Sequence, residues 1–569
     1  MKEFFSLVVA FLGFVNLLGA EPQLKPGTRI VTLGDSITQA GGYQRLMRRV
    51  FDRFYADLNV EIVNAGISGH KSPDMAGRLQ KDVIDKNPTI VTISCGVNDV
   101  WHGFYDPPRG VDLATYTDLM RQMVRELKAK TAASIYLLTP TVIHETLSTP
   151  ENLKLEEYCV AVRRIAKDEQ VHLIDLNTLF NLSLRATQIG GAPEFHPTSD
   201  GVHMKPSGDF LIAAAILSAL EIPTHQILAV TEPLKPSISA DDSRFQYWGR
   251  WDLRNASSEG AFTVNTGSTV LARFQGAGLI AHFTISQYTH QFPTLWVQID
   301  DGEWSLAIPD EELKIAVSDH SVSNHVLRLV VKGFREWETR WETPLVSAVI
   351  FRGVTPLPET RLLPAPERPE KLIEYLGDSI TEGVLAMASG PRESWTREHW
   401  PQYTDGRRTW AYQSALLAGA EPRTVGFGRL GLSINANGGV PPALSSFEYN
   451  FSGSPVDRTR LPQVVVINLG SNDRDRVSTD LFGALYQAYV QQVRKSYPEA
   501  MILCMRPFNG SHGEMIAQVV KTLRDERVRF VDTTGWIEPG KDTTDKVHLN
   551  LNGNKIAAEK LAPILRSVL

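Results

Sequence analysis

Cysteine is nearly missing from this chain: Cys95, Cys159 and Cys504 are the only three in 569 residues, and no two form a Cys-x-x-Cys pair. That is too few and too scattered for a disulfide framework or a thiolate metal site, so buried free thiols are expected. A block of like charge is also lacking. With 58 Lys and Arg against 64 Asp and Glu, the net charge of -6 offers a polyanion no foothold and excludes nucleic acid as a partner. No apolar run reaches the ~20 residues of a membrane-spanning helix. The longest, Phe4 to Leu18, follows Lys2 and precedes the small pair Gly19-Ala20, so residues 1–20 read as a cleaved secretory signal that leaves no stable span. Export of a Cys-poor chain suits a bacterial periplasm or exterior.

Several catalytic signatures are absent as well. There is no Walker loop and no His-Glu-x-x-His, which removes two common routes to phosphate and zinc chemistry. Gly426-Phe427-Gly428-Arg429-Leu430-Gly431 has dinucleotide-fingerprint spacing, but Asn437-Gly438-Gly439-Val440-Pro441-Pro442 follows and cannot continue the required helix. No metal or cofactor is therefore expected.

What is present is a folded composition, 43% hydrophobic and 21% charged, in a chain too long for one core. Short apolar runs alternate with amphipathic stretches, the pattern of a parallel sheet covered by helices. The predicted strands are Ile30–Leu33, Val60–Val63, Thr89–Ser94, Ser134–Leu138 and Val171–Ile174. Ser72-Pro73-Asp74 predicts a helix start before Met75–Ile84, with Ser72 as the cap. From 228 to 355 the texture changes to period-two alternation, as in Val326-Leu327-Arg328-Leu329-Val330-Val331, which predicts an antiparallel sandwich. Pro356 to Pro369 reads as a stiff connector. Strands are predicted again at Leu372–Leu376, Arg423–Val425, Val464–Leu469, Met501–Met505 and Val528–Val531, so the last part repeats the first. The resulting division is 1–20 signal, 21–227 first α/β domain, 228–355 β-sandwich, 356–370 linker and 371–569 second α/β domain.

The repeat is sharpest in polar residues that end strands, where an open parallel sheet places its ligands. Leu33-Gly34-Asp35-Ser36-Ile37-Thr38 returns as Leu376-Gly377-Asp378-Ser379-Ile380-Thr381. Gly96-Val97-Asn98-Asp99 returns as Gly470-Ser471-Asn472-Asp473, with Asn98 and Asn472 placed to aim an amide at a developing oxyanion. Asp200-Gly201-Val202-His203 returns as Asp545-Lys546-Val547-His548, each histidine trailing its serine by nearly the same distance. A serine nucleophile, a histidine base and an aspartate to orient it make two candidate triads, Ser36, His203, Asp200 and Ser379, His548, Asp545. Gly-x-Ser-x-Gly is missing at both serines, which argues against an α/β-hydrolase.

These blocks resemble those of the SGNH hydrolases, also called GDSL esterases and lipases. The resemblance covers both α/β regions and implies two flavodoxin-like three-layer domains with the β-sandwich, a jelly roll, between them. It also implies an oxyanion hole made by the serine backbone N–H, a glycine N–H and the asparagine side chain: Ser36, Gly66 and Asn98 in the first half, Ser379, Gly428 and Asn472 in the second. The second half departs from the pattern by having Gly426 where Asn64 stands. The sandwich followed by the second region is similar to carbohydrate esterase family two, through Gly249-Arg250, Gly267-Ser268, Ile299-Asp300 and Ile373-Glu374-Tyr375-Leu376. That similarity implies removal of acetyl groups from a polysaccharide or oligosaccharide partner. Trp101 and Trp410 are candidate sugar platforms, with core packing the commoner role for tryptophan. Gly383 to Ala420 is expected as a loop above the second site. Two other readings stay open, a lipase or thioesterase acting on acyl chains, and a half or a sandwich that only binds carbohydrate. The sequence carries no signal for oligomeric state.

Overall fold

The computed structural model describes residues 23–189, 196–229, 236–284, 293–309, 311–317, 324–389 and 400–569. The proposed signal lies outside them. No helix among the described residues is long and apolar enough to cross a membrane. The chain divides into two compact units, residues 1–234 and 235–569.

The first unit is built on five parallel strands, β1 (Arg29–Gly34), β2 (Glu61–Gly66), β3 (Ile90–Ser94), β4 (Ser134–Leu138) and β5 (His172–Ile174), in the order β2-β1-β3-β4-β5. Strands β1, β3 and β4 are buried on both faces, which is why they read as unbroken apolar runs rather than alternating ones. Amphipathic helices such as Leu113–Lys130 and Pro150–Asp168 cover the sheet, while Pro206–Ala219 is buried along most of its length. The helix predicted from Met75 spans Ser72–Asp82. Its cap is not Ser72 but Lys71, whose N–H donates to Asp74 at 3.0 Å, because Ser72 turns its own N–H and hydroxyl toward Asp99.

The second unit joins two architectures. Strands β6 (Ile238–Ser239), β7 (Phe245–Trp248), β8 (Ala261–Thr263), β9 (Thr269–Gln275), β10 (Gly278–Thr284), β11 (Thr294–Ile299), β12 (Ser305–Ala307), β13 (Glu312–Ala316), β14 (His325–Gly333), β15 (Val349–Pro356) and β16 (Arg361–Leu363) form two antiparallel sheets. Their inward residues, among them Phe274, Phe283, Leu329 and Phe351, enclose one core. The stretch expected as a stiff connector carries structure of its own: β16 falls inside it and pairs with β9, and Arg368 is held by Glu421, so these residues are pinned to the fold.

Strands β17 (Leu372–Gly377) and β18 (Glu421–Gly426) follow, then a short hairpin of β19 (Tyr449–Phe451) and β20 (Ser454–Pro455), then β21 (Val464–Asn468), β22 (Met501–Met505) and β23 (Val528–Val531). The five parallel strands take the order β18-β17-β21-β22-β23, the arrangement of the first unit. Both sheets therefore have the flavodoxin-like order and an α/β fold. The sandwich and this sheet share one unit, joined by buried ion pairs such as Arg250 Nε to Glu374 Oε1 at 2.8 Å. The segment expected above the second site is partly core instead: Trp410–Leu417 is a helix packed on the closing helix Leu551–Arg566 and on β17.

Candidate active site

Each candidate serine opens a one-turn helix at the carboxyl end of the interior strand it follows, Ser36–Gln39 after β1 and Ser379–Glu382 after β17. Asp35 and Asp378 cap these turns, each accepting the N–H two residues on at 3.0 Å. The cap holds the serine hydroxyl at the mouth of the cleft, 8% exposed in both cases.

The structure brings the three candidate groups together twice. Ser36 Oγ lies 2.9 Å from His203 Nε2, and His203 Nδ1 lies 2.7 Å from Asp200 Oδ2. Ser379 Oγ lies 2.9 Å from His548 Nε2, and His548 Nδ1 lies 2.8 Å from Asp545 Oδ2. The other oxygen of each aspartate accepts the histidine's own N–H at 2.8 Å, so the carboxylate fixes both the ring and its backbone. Antiparallel bridges, Thr198 with Met204 and Thr543 with Leu549, close each loop. The position after each aspartate is left-handed: Gly201 in one loop, and Lys546 with φ 73° in the other. A lysine there carries backbone strain, which is tolerated where surrounding contacts over-determine the loop.

The two triads differ in exposure. The Asp200 side chain is 50% exposed and that of Asp545 only 14%. Burial works against ionising Asp545, yet the hydrogen bond and charge of His548, with two backbone N–H groups, hold its carboxyl well below the usual range. Burial likewise opposes a charged His548, but Asp545, then Glu336 and Asp378, outweigh it and raise the imidazole above its ordinary value.

The oxyanion side requires two corrections. The Gly66 N–H is already donated to Asn64 Oδ1 at 2.9 Å, and a Cβ on Gly66 would lie 2.2 Å from the Gln39 nitrogen. Gly66 is thus needed for close strand-to-turn contact. The N–H without a partner among the described residues in this loop is that of Gly69, left-handed at φ 76° in the turn from Ile67 to His70. The His70 carbonyl at the end of that turn accepts from Asn98 Nδ2 at 3.1 Å.

In the second half, strand register pairs Gly426 with Gly377 as Gly66 pairs with Gly34. The matching turn runs from Phe427 to Leu430, and the Leu430 carbonyl accepts from Asn472 Nδ2 at 3.0 Å. The counterpart of Gly69 is therefore Arg429, also left-handed at φ 67°, and not Gly428. Asn472 Nδ2 is also 3.3 Å from Asp378 Oδ2, a carboxyl that burial pushes up to about 6.

Two buried carboxylates that carry no motif of their own set these turns. Asp99 accepts the Ser72 N–H at 3.0 Å and its hydroxyl at 2.5 Å; Asp473 accepts the Ser433 N–H at 2.8 Å and its hydroxyl at 2.6 Å. Their place directly after Asn98 and Asn472 was the available signal. Trp101 stands beside the first triad, its ring 6.4 Å from that of His203. Trp410 is a correction: it is fully buried between Tyr375 and Phe508 and presents no face to a ligand. Arg407 and Arg408 lie over the Trp296 ring of the sandwich and so are occupied within the fold. The second cleft, about 490 Å³, is lined around Ser379 and His548 by Glu336, Trp337, Arg429 and Asn509 among others.

The family model for the GDSL-like lipase/acylhydrolase family matches residues 32–204 and 375–556. An acetylxylan esterase of Geobacillus stearothermophilus is 29% identical over 213 residues, 34% of this chain and 93% of that protein. The cellulase/esterase CelE of Acetivibrio thermocellus is 31% identical over 150 residues, 25% of this chain and 18% of its own length. A solved family two carbohydrate esterase from Clostridium thermocellum is 23% identical with a TM-score of 0.48, covering 57% of this chain and 98% of the other.

Proposed function

The chain belongs to the GDSL-like lipase/acylhydrolase family and is a carboxylic ester hydrolase, and from that premise we propose that it is exported and removes O-acetyl groups from polysaccharide at two Ser-His-Asp sites. The reading rests above all on one observation: two serine hydroxyls, each 2.9 Å from a histidine that an aspartate holds from behind.

Each site works in the same way. The serine Oγ–H donates to histidine Nε2 and the oxygen attacks the acetyl carbonyl; the imidazolium that forms is stabilised by aspartate and returns its proton to the departing sugar alkoxide. Water, deprotonated by the same histidine, then releases acetate. The oxyanion is received by the serine N–H, the asparagine amide and the left-handed residue of the adjoining turn, Gly69 in one site and Arg429 in the other. The sandwich is read as a jelly roll that belongs to the second site. Support for a carbohydrate ester comes from the named activity of the Geobacillus relative and from the polar side chains Glu336, Arg429 and Asn509 in the wall of the second cleft.

Acetate release from acetylated xylan, set beside hydrolysis of nitrophenyl esters from two to twelve carbons, tests the substrate class. Acetate should appear from the xylan, and rate on the nitrophenyl series should fall with chain length. Rates that rise with chain length, together with no acetate from xylan, would identify an acyl-chain hydrolase instead.

The electrostatics of His548 give a pH prediction. Only the neutral imidazole can take the serine proton, so activity is lost as pH falls through its pKa. With the first site silenced by Ser36→Ala, the acid limb of kcat/KM on nitrophenyl acetate should have its midpoint above ~6.5, the ordinary histidine value. Asp545→Asn should move the limb of the remaining rate to lower pH. A parent midpoint at or below the ordinary value would contradict the raised imidazole.

A further inference from the structure

Strands β14 and β15 of the sandwich are connected by Phe334 to Ala348, which leaves the sandwich and enters the second α/β fold. Trp341, Leu345 and Ala348 share a core with Phe427, Leu430 and Ile467, and the Arg340 N–H donates to the Gly438 carbonyl at 2.9 Å. Arg340 is fully buried, with Nη1 2.5 Å from Oε1 of Glu382, three residues after Ser379. The same connection carries Glu336 to the catalytic cleft. There it lines the wall with Ser379 and His548, and its Oε2 lies so close to Gly428 that a Cβ on that glycine would be 1.8 Å away.

Glu336 is not explained as half of an ion pair. Arg340 uses Nη1 on Glu382, and its Nε and Nη2 have no hydrogen-bond partner among the described residues, so no guanidinium N–H goes to Glu336. Asn437 lines the same wall, its Nδ2 3.2 Å from where a Cβ on Gly428 would lie. Burial first, then the neighbouring charge of Glu382, pushes the Glu336 carboxyl up to about 7. A carboxyl taken out of water without a bound cation is costly, and such groups concentrate where a ligand is handled. In either protonation state it accepts a hydroxyl hydrogen. In the first half the residue matching Glu382 is the neutral Gln39, whose Oε1 accepts the Ser68 N–H at 2.7 Å.

We propose that Glu336 is a specificity-determining residue of the second site, its carboxyl holding the free hydroxyl beside the acetyl ester on a sugar ring. The sandwich then supplies part of the second site's substrate choice, and the two sites differ in what they demand of the leaving alcohol. This rests on the acetyl-sugar reading above.

The experiment uses the full chain with Ser36→Ala, so that Ser379 alone acts, and compares Glu336, Glu336→Gln and Glu336→Ala on nitrophenyl acetate and on an acetylated xylo-oligosaccharide with a free neighbouring hydroxyl. Loss of a hydrogen bond to a charged or polarised acceptor is expected to lower the ratio of sugar to nitrophenyl kcat/KM by ~10- to 100-fold in the alanine variant, mostly through KM, with the glutamine variant between. Thermal melting identifies any variant that has lost its fold, and the glutamine variant keeps the shape if alanine does not. Equal losses on the two esters, or an unchanged ratio, overturn the assignment of Glu336. A parent that hydrolyses nitrophenyl acetate but releases nothing from the sugar overturns the acetyl-sugar reading itself, and this proposal with it.

Discussion

Replacing both serines, Ser36→Ala with Ser379→Ala, is expected to lower ester hydrolysis by ~10⁴- to 10⁶-fold, the range seen when a serine triad loses its nucleophile. That is about 5 to 8 kcal/mol of lost transition-state stabilisation, far more than any contact to the sugar can supply. The size follows from the geometry. In the proposed mechanism each serine oxygen forms the acyl bond; each lies 2.9 Å from a histidine Nε2, and neither site has a second hydroxyl at that distance from the histidine among the described residues. The small size of the change keeps the result clear, because one buried hydroxyl is removed from a capped turn whose aspartate cap remains. The two single variants then divide the work: the rate kept by Ser36→Ala belongs to Ser379, and the reverse. If the two surviving rates sum to that of the unaltered protein, the sites act independently. A double variant within tenfold of the parent, with an unchanged melting profile, would mean that the chemistry lies elsewhere.

Arg250→Ala is expected to cost the second unit about 3–5 kcal/mol, because it removes the only guanidinium hydrogen-bonded to the buried Glu374 carboxylate among the described residues and leaves only the unbonded charge of Arg423 beside it. Arg250 and Glu374 are 2% and 0% exposed at the side chain, with Nε 2.8 Å from Oε1. Burial disfavours the Glu374 charge, but Arg250 and Arg423 outweigh it and keep the carboxyl below its usual value. Arg250 also donates Nη1 to the Phe447 carbonyl at 2.9 Å and lies over the Phe447 ring. It therefore joins the turn after β7 to the α/β sheet at β17, the strand that ends in Gly377 before Asp378 and Ser379. Loss of the pair should reach the second site while leaving Ser36-dependent activity in place. Differential scanning calorimetry should show the transition of this unit falling by roughly 5–10 °C. Arg250→Met combined with Glu374→Leu should recover much of the loss, since an apolar pair of similar volume carries no uncompensated charge. A double variant as unstable as Arg250→Ala would show that shape, and not the stranded charge, sets the cost.

Both predictions concern residues written in the sequence, yet they were legible to different degrees. Ser36 and Ser379 were marked by a repeated strand-end block, and His203 and His548 by an aspartate three residues earlier. Arg250 was visible only as half of a short similarity, with no indication that Glu374, 124 residues away, would be its partner. The strands were legible because a strand buried on both faces must be a short apolar run, a local property. The oxyanion N–H was misplaced in the first half because Gly66 and Gly69 look alike as letters, and in the second because the left-handed residue there is an arginine, Arg429. Which N–H is available depends on where Asn64 and Gln39 send their side chains. Trp410 was misread for a related reason: a tryptophan near a catalytic block has a face to offer only if Tyr375 and Phe508 do not cover it.

By itself the sequence determined the number of α/β sheets, the strand each serine ends, and the serine, histidine and aspartate proposed to perform the chemistry, since these follow from backbone periodicity and from short motifs that act within a few residues. Only the tertiary structure decided which N–H groups stay free, that the sandwich and the second sheet share one compact unit, and that Glu336 from a sandwich loop reaches the cleft of Ser379. Those outcomes depend on hydrogen bonds and burial between segments distant in the chain, and no local pattern encodes them.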